Sequence, residues 1–181
     1  MKEAINPLEY AATILGGLGK GILLTTSCDN RINTMTIGWG TIGVEWGVPI
    51  FTTFVREQRH TAHNLTRNPQ FTINCPLAAH TTADMKIVAY AGAKSGRDVD
   101  KIAHLGLHTE APQAISVPGL REFPLTLECR VIYRRKQDPD LIEARFKSAF
   151  YPQDVDSSCP RSNRDYHIAF YGEIVAAYII K

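Results

Sequence analysis

Residues 55–61 concentrate the groups that could hold a phosphate. Arg56 and Arg59 lie three residues apart where a predicted strand ends, and Thr61 occupies the position expected for the N-cap of the following helix. Guanidinium groups bind phosphate through paired hydrogen bonds, and a helix N-terminus adds free N–H groups and the positive end of its dipole. This pattern favours a terminal phosphate monoester over a long polyanion. The alternative is a pair of surface arginines neutralised by Glu57 and other carboxylates.

Residues 31–40 form a second candidate, predicted to be a strand. Because side chains alternate along a strand, one face carries Asn33, Met35 and Ile37, and the other carries the small residues Thr34, Thr36 and Gly38. Small side chains let backbone N–H and C=O groups reach the heteroatoms of a planar ring. The alternative is an ordinary barrel strand with Trp39 in the core.

Two segments further along the chain add polar groups. Residues 94–101 are a polar turn that leads into a helix and carries Ser95, Arg97 and Lys101, although a capped helix start would look the same. His167 lies in the first strand of a predicted C-terminal hairpin, where a histidine could orient a substrate or accept a proton at neutral pH. A core histidine is the alternative.

Other patterns predict no site. The glycine run at residues 16–21 lacks the Ser or Thr that a phosphate loop needs after its lysine, so we expect a flexible turn into the first strand. Two histidine pairs have helix-neighbour spacing, but neither has a carboxylate or thiol at ligand spacing, which predicts solvated helix faces and no metal: His60 with His63, and His104 with His108.

Strand patterns outnumber helix patterns. Apolar and β-branched runs predict strands at residues 22–27, 32–40, 50–55, 71–75, 125–133, 166–171 and 174–180. Helices are predicted from residue 7 onward and at residues 61–67, 81–90, 98–105 and 139–149. Strands in runs with helices at the turns indicate a mainly β fold, an antiparallel barrel with peripheral helices.

Composition narrows the class of protein. The 181 residues, 44% apolar and 21% charged, contain no internal repeat or low-complexity linker, which predicts one folding unit over residues 1–181. A net charge of +2 gives no broad basic field for nucleic acid. No run approaches the roughly 18 apolar residues of a membrane span, and no signal peptide is apparent. The cysteines show no zinc spacing, so we expect a cytoplasmic protein with four thiols: Cys28, Cys75, Cys129 and Cys159.

Taken in order, six segments resemble the flavin reductase-like family of flavoredoxin-type, FMN-binding split barrels. The resemblance runs from about residue 21 to the end of the chain, and its segments are residues 33–39, 55–61, 71–76, 95–101, 127–129 and 167–177. It implies a six-stranded antiparallel split barrel of Greek-key type and a homodimer with one noncovalent FMN per subunit near the dimer interface.

The resemblance also implies roles for single residues. Arg56, Arg59 and Thr61 would hold the FMN phosphate, in agreement with the motif itself. Thr34, Met35 and Thr36 would meet the flavin edge through backbone atoms, with Trp39 packed nearby. The remaining cofactor-binding residues would be Asn33 and, around the ribityl chain and phosphate, Asn74, Ser95, Arg97 and Lys101.

The implied function is an FMN-dependent oxidoreductase that takes hydride from NAD(P)H, with His167 as the catalytic residue that orients the nicotinamide or closes the pocket. The alternatives are a flavoredoxin-type electron carrier reduced by a protein partner, and a non-catalytic module that binds flavin or haem. The chain departs from the family in residues 134–164, where we expect specificity to lie. It also reads Arg164-Asp165-Tyr166-His167 where the family often has Gly-Asp-His, which moves the carboxylate by one position.

Overall fold

The structure, a computed structural model, describes residues 1–156 and 163–181. Cys159 lies outside the described residues. The strands of the described chain are β1 (Lys2–Ala4), β2 (Ile22–Cys28), β3 (Arg31–Ile37), β4 (Gly40–Glu45), β5 (Val48–Arg56), β6 (Gln70–Cys75), β7 (Thr109–Glu110), β8 (Gly119–Leu120), β9 (Leu125–Lys136) and β10 (His167–Ile180). The helices are α1 (Ala11–Leu18), α2 (His60–Arg67), α3 (Thr82–Ala93), α4 (Lys101–Leu105) and α5 (Ala144–Phe150).

One antiparallel sheet organises the molecule. Its strands follow the order β3-β2-β6-β9-β10-β5-β4, and β1 pairs with the far end of β10. The mainly β fold with peripheral helices is therefore confirmed, although the sheet has eight strands where six were expected. Strands β1 and β4 were not predicted from the sequence. The short strands β7 and β8 form a separate ribbon.

The two edges of this sheet meet at a short linker. Strands β3 and β4 stand at opposite ends of the strand order, yet only Gly38 and Trp39 separate them in the sequence. The chain therefore crosses from one edge of the sheet to the other within two residues. This crossing marks the split between the edges, and it places Trp39 beside the gap.

The predicted C-terminal hairpin is wrong, because residues 167–180 form the single strand β10. This strand pairs with β5 on one side and with β9 on the other, and its register with β9 shifts at Tyr171/Gly172 and again between Ile174 and Ala176. Gly172 is not a turn residue. A Cβ there would come within 2.5 Å of Cζ of Phe71, so the glycine allows a close approach inside the barrel.

The glycine run at residues 16–21 is also more ordered than expected. Gly16 and Gly17 belong to α1, and the turn into β2 is confined to residues 19–21, where Gly21 has a φ of 97°. A Cβ on Gly17 would come within 2.8 Å of Ile22 and 2.9 Å of the Cys75 sulfur. The run therefore brings a helix close to the sheet, and the predicted turn is limited to residues 19–21.

The helix ends follow local signals. Thr81 and Asp84 form a capping box at the start of α3, and Asp100 caps α4. The helix predicted at residues 139–149 is interrupted, since a single 3₁₀ turn at Pro139–Leu141 precedes α5. No helix in residues 1–156 or 163–181 is both long and apolar enough to span a bilayer.

Two hydrophobic clusters fix the elements around the sheet. The larger fills the barrel and includes the fully buried Phe51, Phe71 and Phe170. The smaller packs α3 against the sheet through Val88 and Leu23. Burying a large apolar side chain contributes about 1.5–3 kcal/mol, so this second cluster stabilises the packing of α3 against the sheet.

Candidate functional site

A cavity of about 240 Å³ lies where the end of β5, the start of α2, strand β3 and the α3–α4 connector meet. We call it the basic cavity, because five cationic side chains and a single carboxylate line it among the described residues: Arg56, Arg59, Lys94, Arg97, Lys101 and Asp165. Asn33, Met35, Thr61 and Ser95 complete the set of predicted site residues on its wall. The structure thus brings together residues from three separate sequence segments.

Arg59 is an unpaired, half-buried cation of this cavity. It is the N-cap of α2, and its guanidinium forms no hydrogen bond or ion pair with any described residue. The backbone N–H groups of His60 and Thr61, in the first turn of α2, have no partner within the described chain either. A guanidinium and a free helix N-terminus on one cavity wall form an anion site.

Thr61 is not the N-cap that the sequence predicted. It is the second residue of α2 and is 1% exposed, and its hydroxyl accepts a hydrogen bond from Nδ2 of Asn33 at 3.0 Å. The helix begins earlier than expected because Arg59 has an extended backbone and its carbonyl already accepts the N–H of Ala62 at 3.0 Å. Thr61 therefore lines the cavity wall and also helps to fix the side chain of Asn33, which lines the same cavity.

Arg56 has a different environment from Arg59. Its guanidinium donates to the carbonyls of Asn163 and Phe150 at 3.0 and 2.9 Å and to the carbonyl of Asp165, and it lies 3.8 Å from the Asp165 carboxylate. Burial lowers the pKa of Arg56, and the charge of Asp165 opposes that effect. Most of its N–H donors are already bonded to backbone carbonyls. Arg56 therefore mainly holds Phe150, Asn163 and Asp165 in place beside the cavity.

Lys101 is a buried ammonium with no carboxylate partner among the described residues. It is 3% exposed, and its Nζ donates to the carbonyls of Thr34 and Ala91 at 2.6 and 2.9 Å. Burial, with a smaller effect from Arg59, lowers the pKa of Lys101 to about 8. A buried charge is costly without a counter-charge, so this position favours an anion in the cavity.

The α3–α4 connector closes the cavity from the other side. Arg97 donates to the carbonyl of Gln58 at 2.9 Å, and the Ser95 hydroxyl accepts the backbone N–H of Arg97 at 3.2 Å. Gly96 lies so close to Asn33 that a Cβ would fall 2.0 Å from Asn33 Oδ1. That oxygen and Nδ1 of His60 are both buried without a partner within the described residues. Two buried polar atoms thus remain to be satisfied at this wall.

Four predicted cofactor-binding residues do not line the basic cavity: Thr34, Thr36, Trp39 and Asn74. Thr34 and Asn74 are fully buried: the Thr34 hydroxyl lies 3.1 Å from that of Thr25, and Asn74 bridges Thr25, Thr72 and the N–H of Leu120. The Thr34 carbonyl is already bonded to Lys101, and the Thr36 hydroxyl donates to the carbonyl of Val88 at 2.5 Å. We therefore correct the assignment of Asn74, which belongs to the core because β6 lies inside the sheet.

A second pocket, of about 200 Å³, adjoins the basic cavity and shares Met35, Arg56 and Arg59 with it. We call it the ring-end pocket. Its other lining residues are Thr36, Ile37, Gly38, Trp39, Phe54 and His167. Strand β3 and its linker thus form one wall, as the sequence predicted, and His167 faces them from β10. Trp39 is 38% exposed, so it is not the core residue of the alternative interpretation.

His167 is held by Tyr151 and Gln137, which the sequence did not identify. Its Nδ1 lies 2.8 Å from the Tyr151 hydroxyl, which lies 2.8 Å from Oε1 of Gln137. His167 is 7% exposed, and burial, followed by the charge of Arg56, lowers its pKa to about 4. The Asp165 carboxylate instead accepts the backbone N–H of Gln58 at 3.0 Å. Asp165 lies one position away from the carboxylate that the family often has. In this chain it bonds to Gln58, and His167 contacts Tyr151 in its place.

An aromatic groove of about 420 Å³ lies next to the ring-end pocket. It is formed by Trp39, Gln137, Ile142, Phe146, Phe150 and Tyr151. The Trp39 ring meets Phe150 edge-on at 5.1 Å and lies 4.8 Å from the ring of His167. The groove is contributed mainly by residues 137–151, which therefore shape the approach to the ring-end pocket.

The two histidine pairs differ in their surroundings. No group of three or more potential ligands comes together within the described ranges 1–156 and 163–181. His104 stacks on Tyr90 at 4.3 Å, and Nδ1 of His108 lies 2.8 Å from Glu122. His60, in contrast, is part of the basic cavity and was missed. Its position directly after Arg59, at the start of a helix, was the available signal.

Residues 15–181 match the family model of the flavin reductase like domain, and the chain belongs to this family. The match confirms the family resemblance and supports FMN as the cofactor of a flavin-binding redox protein. Comparison with the curated protein sequences finds no match.

Solved structures share the fold. The flavoredoxin of Desulfovibrio vulgaris (Miyazaki F) is 25% identical, with a TM-score of 0.63 over 89% of this chain and 69% of that chain. An FMN-binding domain of a flavin reductase-like enzyme from Shewanella baltica is 16% identical, with a TM-score of 0.65 over 99% and 77%. Nitrilotriacetate monooxygenase component B from Bacillus cereus is 15% identical, with a TM-score of 0.64 over 99% and 82%.

Proposed function

We propose that the basic cavity holds the phosphate and ribityl chain of FMN and that the ring-end pocket holds its isoalloxazine. The observation that carries this proposal is the buried ammonium of Lys101, which lacks a carboxylate partner in the described chain and stands beside the unpaired guanidinium of Arg59. A phosphate monoester supplies the missing anion. The free N–H groups of His60 and Thr61 are suited to its remaining oxygens.

The neutral groups of the cavity fit the same ligand. Asn33 Oδ1 is a buried acceptor without a partner in the described chain, and a ribityl hydroxyl is a donor of the right kind. Met35 and the linker at Gly38 and Trp39 offer a flat, weakly polar wall for a planar ring. FMN, when bound, supplies hydride and electron transfer, and the residues of this chain bind and orient it.

We further propose that the chain is an NAD(P)H-dependent flavin reductase. The aromatic groove opens beside the ring-end pocket, so a second planar ring can reach the same place. There His167, neutral at physiological pH, accepts a hydrogen bond from the nicotinamide amide and orients it, while Trp39 and Phe150 exclude water. We also propose that the protein is cytoplasmic and that residues 1–181 form one domain.

A flavoredoxin-type electron carrier is the second candidate. It is favoured by the likeness to the Desulfovibrio vulgaris flavoredoxin, which covers 89% of this chain at 25% identity. Such a carrier would receive electrons from a reduced protein. The aromatic groove would then lie within a protein–protein contact and would not bind a nicotinamide.

One spectroscopic experiment separates these functions. The purified protein is loaded with FMN, freed of excess cofactor and mixed anaerobically with NADH or NADPH while the flavin absorbance is followed. Bleaching within seconds supports the reductase. Bleaching only by a reduced redox protein supports the carrier, and stable FMN that neither donor reduces indicates a non-catalytic binding module. Failure to retain FMN, or recovery of FAD in its place after acid release, contradicts the cofactor proposal.

We also propose a homodimer. An exposed apolar patch runs across the sheet at Val44, Trp46, Ile132 and Tyr133, whose exposed fractions are 63%, 63%, 43% and 41%. Trp46 meets Tyr133 edge-on at 6.1 Å, and β4 is an edge strand of the sheet. Exposed apolar edge strands invite pairing with another chain, and a second copy would cover this one.

A further inference from the structure

The contacts of Gln137 determine which way its side-chain amide faces. Its Oε1 lies 3.3 Å from the backbone nitrogen of His167, which carries a proton and can only donate. With the amide reversed, an NH₂ group would face that N–H, donor against donor. The oxygen therefore faces both His167 and the Tyr151 hydroxyl, which lies 2.8 Å away.

The position of the Tyr151 proton follows from this orientation. Burial raises the pKa of Tyr151, so its hydroxyl keeps its proton, and Gln137 Oε1 can only accept it. The same hydroxyl lies 2.8 Å from Nδ1 of His167. Because a hydroxyl has one proton, already given to Gln137, the contact with Nδ1 is a hydrogen bond only if Nδ1 carries the proton.

We propose that Gln137 and Tyr151 are positioning residues that hold His167 as the Nδ1–H tautomer, with the lone pair of Nε2 directed to a ligand. Nε2 forms no hydrogen bond with any described residue, and His167 lines the ring-end pocket. A ligand group at this position must therefore donate. The second substrate is a flat ring that carries an N–H or O–H donor, a conclusion that rests on the proposed function.

The charges around His167 favour the neutral ring. Arg56 on β5 and Arg59 at the start of α2 disfavour a second proton on the imidazole, and Asp165, just before β10, partly opposes them. Tyr151, at the end of α5, is neutral. The lone pair on Nε2 is therefore present throughout the physiological range, and the tautomer, more than the pH, decides what this residue can bind.

The tautomer is measured directly by ¹⁵N NMR of the histidine ring, in protein with and without FMN. A protonated and a bare ring nitrogen differ widely in chemical shift. We expect the Nδ1–H form in the wild type. In Gln137→Leu the Tyr151 hydroxyl has only Nδ1 left as an acceptor, so His167 should switch to the Nε2–H form. Gln137→Glu keeps an acceptor oxygen and should keep the Nδ1–H form.

This set of variants distinguishes the proposal from a purely structural role. A structural role predicts the same tautomer in all folded variants, and that result, or an Nε2–H wild type, would overturn the proposal. If Gln137→Leu does not fold, Tyr151→Phe serves instead. This change removes the hydrogen-bond partner of Nδ1, and we expect a mixture of tautomers. An unchanged, pure Nδ1–H signal would show that Tyr151 does not set the tautomer.

The requirement that the ligand donates a hydrogen bond to Nε2 is tested with two matched probes on the FMN-loaded protein. Nicotinamide carries an amide NH₂, and 3-acetylpyridine has a methyl group in its place on the same ring and carbonyl. Nicotinamide should move the Nε2 resonance and 3-acetylpyridine should not. We also expect about a tenfold loss of nicotinamide affinity in Gln137→Leu, the size of one lost hydrogen bond.

If both probes move the Nε2 resonance equally, or neither does, the requirement for a donor is wrong. The tautomer can also be measured in protein without FMN. A chain that binds no FMN would therefore overturn the proposed function, while the tautomer proposal would still be tested by the cofactor-free measurement.

Discussion

The Lys101 ammonium donates to the Thr34 carbonyl at 2.6 Å, which ties α4 to β3 beneath the basic cavity. The resemblance placed both residues at the cofactor, Thr34 through its backbone. In the structure they meet each other, so that this carbonyl is already bonded and the ammonium is oriented by the main chain. The positive charge at this wall is thus built into the fold before any ligand binds.

Replacing Arg59 with alanine should weaken FMN binding by about 1.5–3 kcal/mol, roughly a tenfold to hundredfold rise in Kd, because one charge-assisted interaction is lost. Thermal stability should change little, since the guanidinium has no partner in the described chain. Arg67→Ala is the matched control, because Arg67 lies on the same helix and pairs with Asp29 outside the cavity. Fluorescence titration with FMN measures both variants. Equal affinity of Arg59→Ala and wild type would show that the anion site is elsewhere.

Replacing Arg56 with alanine should have a second effect that Arg59→Ala lacks. The change removes hydrogen bonds to the carbonyls of Asn163, Phe150 and Asp165, so the free energy of unfolding should fall by about 2–3 kcal/mol. Denaturant unfolding of the cofactor-free protein measures this loss. A variant as stable as the wild type but poor in FMN binding would mean that Arg56 is a direct ligand and that its contacts to the chain matter little.

Binding of FMN should weaken as the pH rises above about 8. The pKa of Lys101 is about 8 in the free protein, and a bound phosphate raises it, so binding above pH 8 requires proton uptake. Below that pH the ammonium is already charged and contributes no pH dependence. Titrations between pH 7 and 10 test this, with Lys101→Met as the comparison. A Kd that is independent of pH in the wild type, or equally pH-dependent in Lys101→Met, would contradict the assignment.

His167 should make the protein sensitive to acid. Its pKa of about 4 in the folded chain lies below the usual 6.5, so the unfolded chain takes up the proton first as the pH falls. Stability contributed by the neutral ring is complete above pH 6.5 and is lost between 6.5 and 4, by about 3 kcal/mol. His167→Gln should lack this portion of the pH dependence. If the free energy of unfolding depends on pH in the same way in wild type and in His167→Gln, the pKa of His167 is not lowered in the folded chain.

Replacing Trp46 with glutamate should convert the proposed dimer into a monomer, because it puts a charge into the apolar patch. Met85→Glu is the control, since Met85 is 41% exposed but lies on α3, outside the patch. Light scattering reports the mass of each protein. A wild-type monomer, or a Trp46→Glu dimer, would remove the patch as the interface.

The sequence predicted the strands best where the pattern was local. The runs that became β2, β5, β6 and most of β9 follow from β-branched and aromatic residues alone. The hairpin assigned to the C-terminus failed because Gly172 has the composition of a turn. Its true role, a close approach to Phe71, depends on a residue 101 positions away, and no local pattern contains that information.

The site was predicted to a similar extent. Arg59, Ser95, Arg97 and Lys101 meet at one cavity, as their residue types suggested. Gln137 and Tyr151 could not be found this way, because their importance depends on contacts with His167 on β10 that only the fold creates. Asn74 was misplaced for the opposite reason: its polar side chain satisfies neighbours within the sheet, a demand that is invisible until the strands are paired.

The pairing of His167 with Arg56 has a consequence for how a bound molecule leaves. These two residues face each other as the first rung of the β10–β5 ladder, so the ring end of the site is attached to β10, a central strand that pairs with both β5 and β9. The other end is bounded by the connector at residues 94–100, which is held by a few side-chain contacts. Opening the connector costs less than breaking the ladder. For FMN bound as proposed, we therefore expect release to begin at the phosphate end, with the connector setting the residence time.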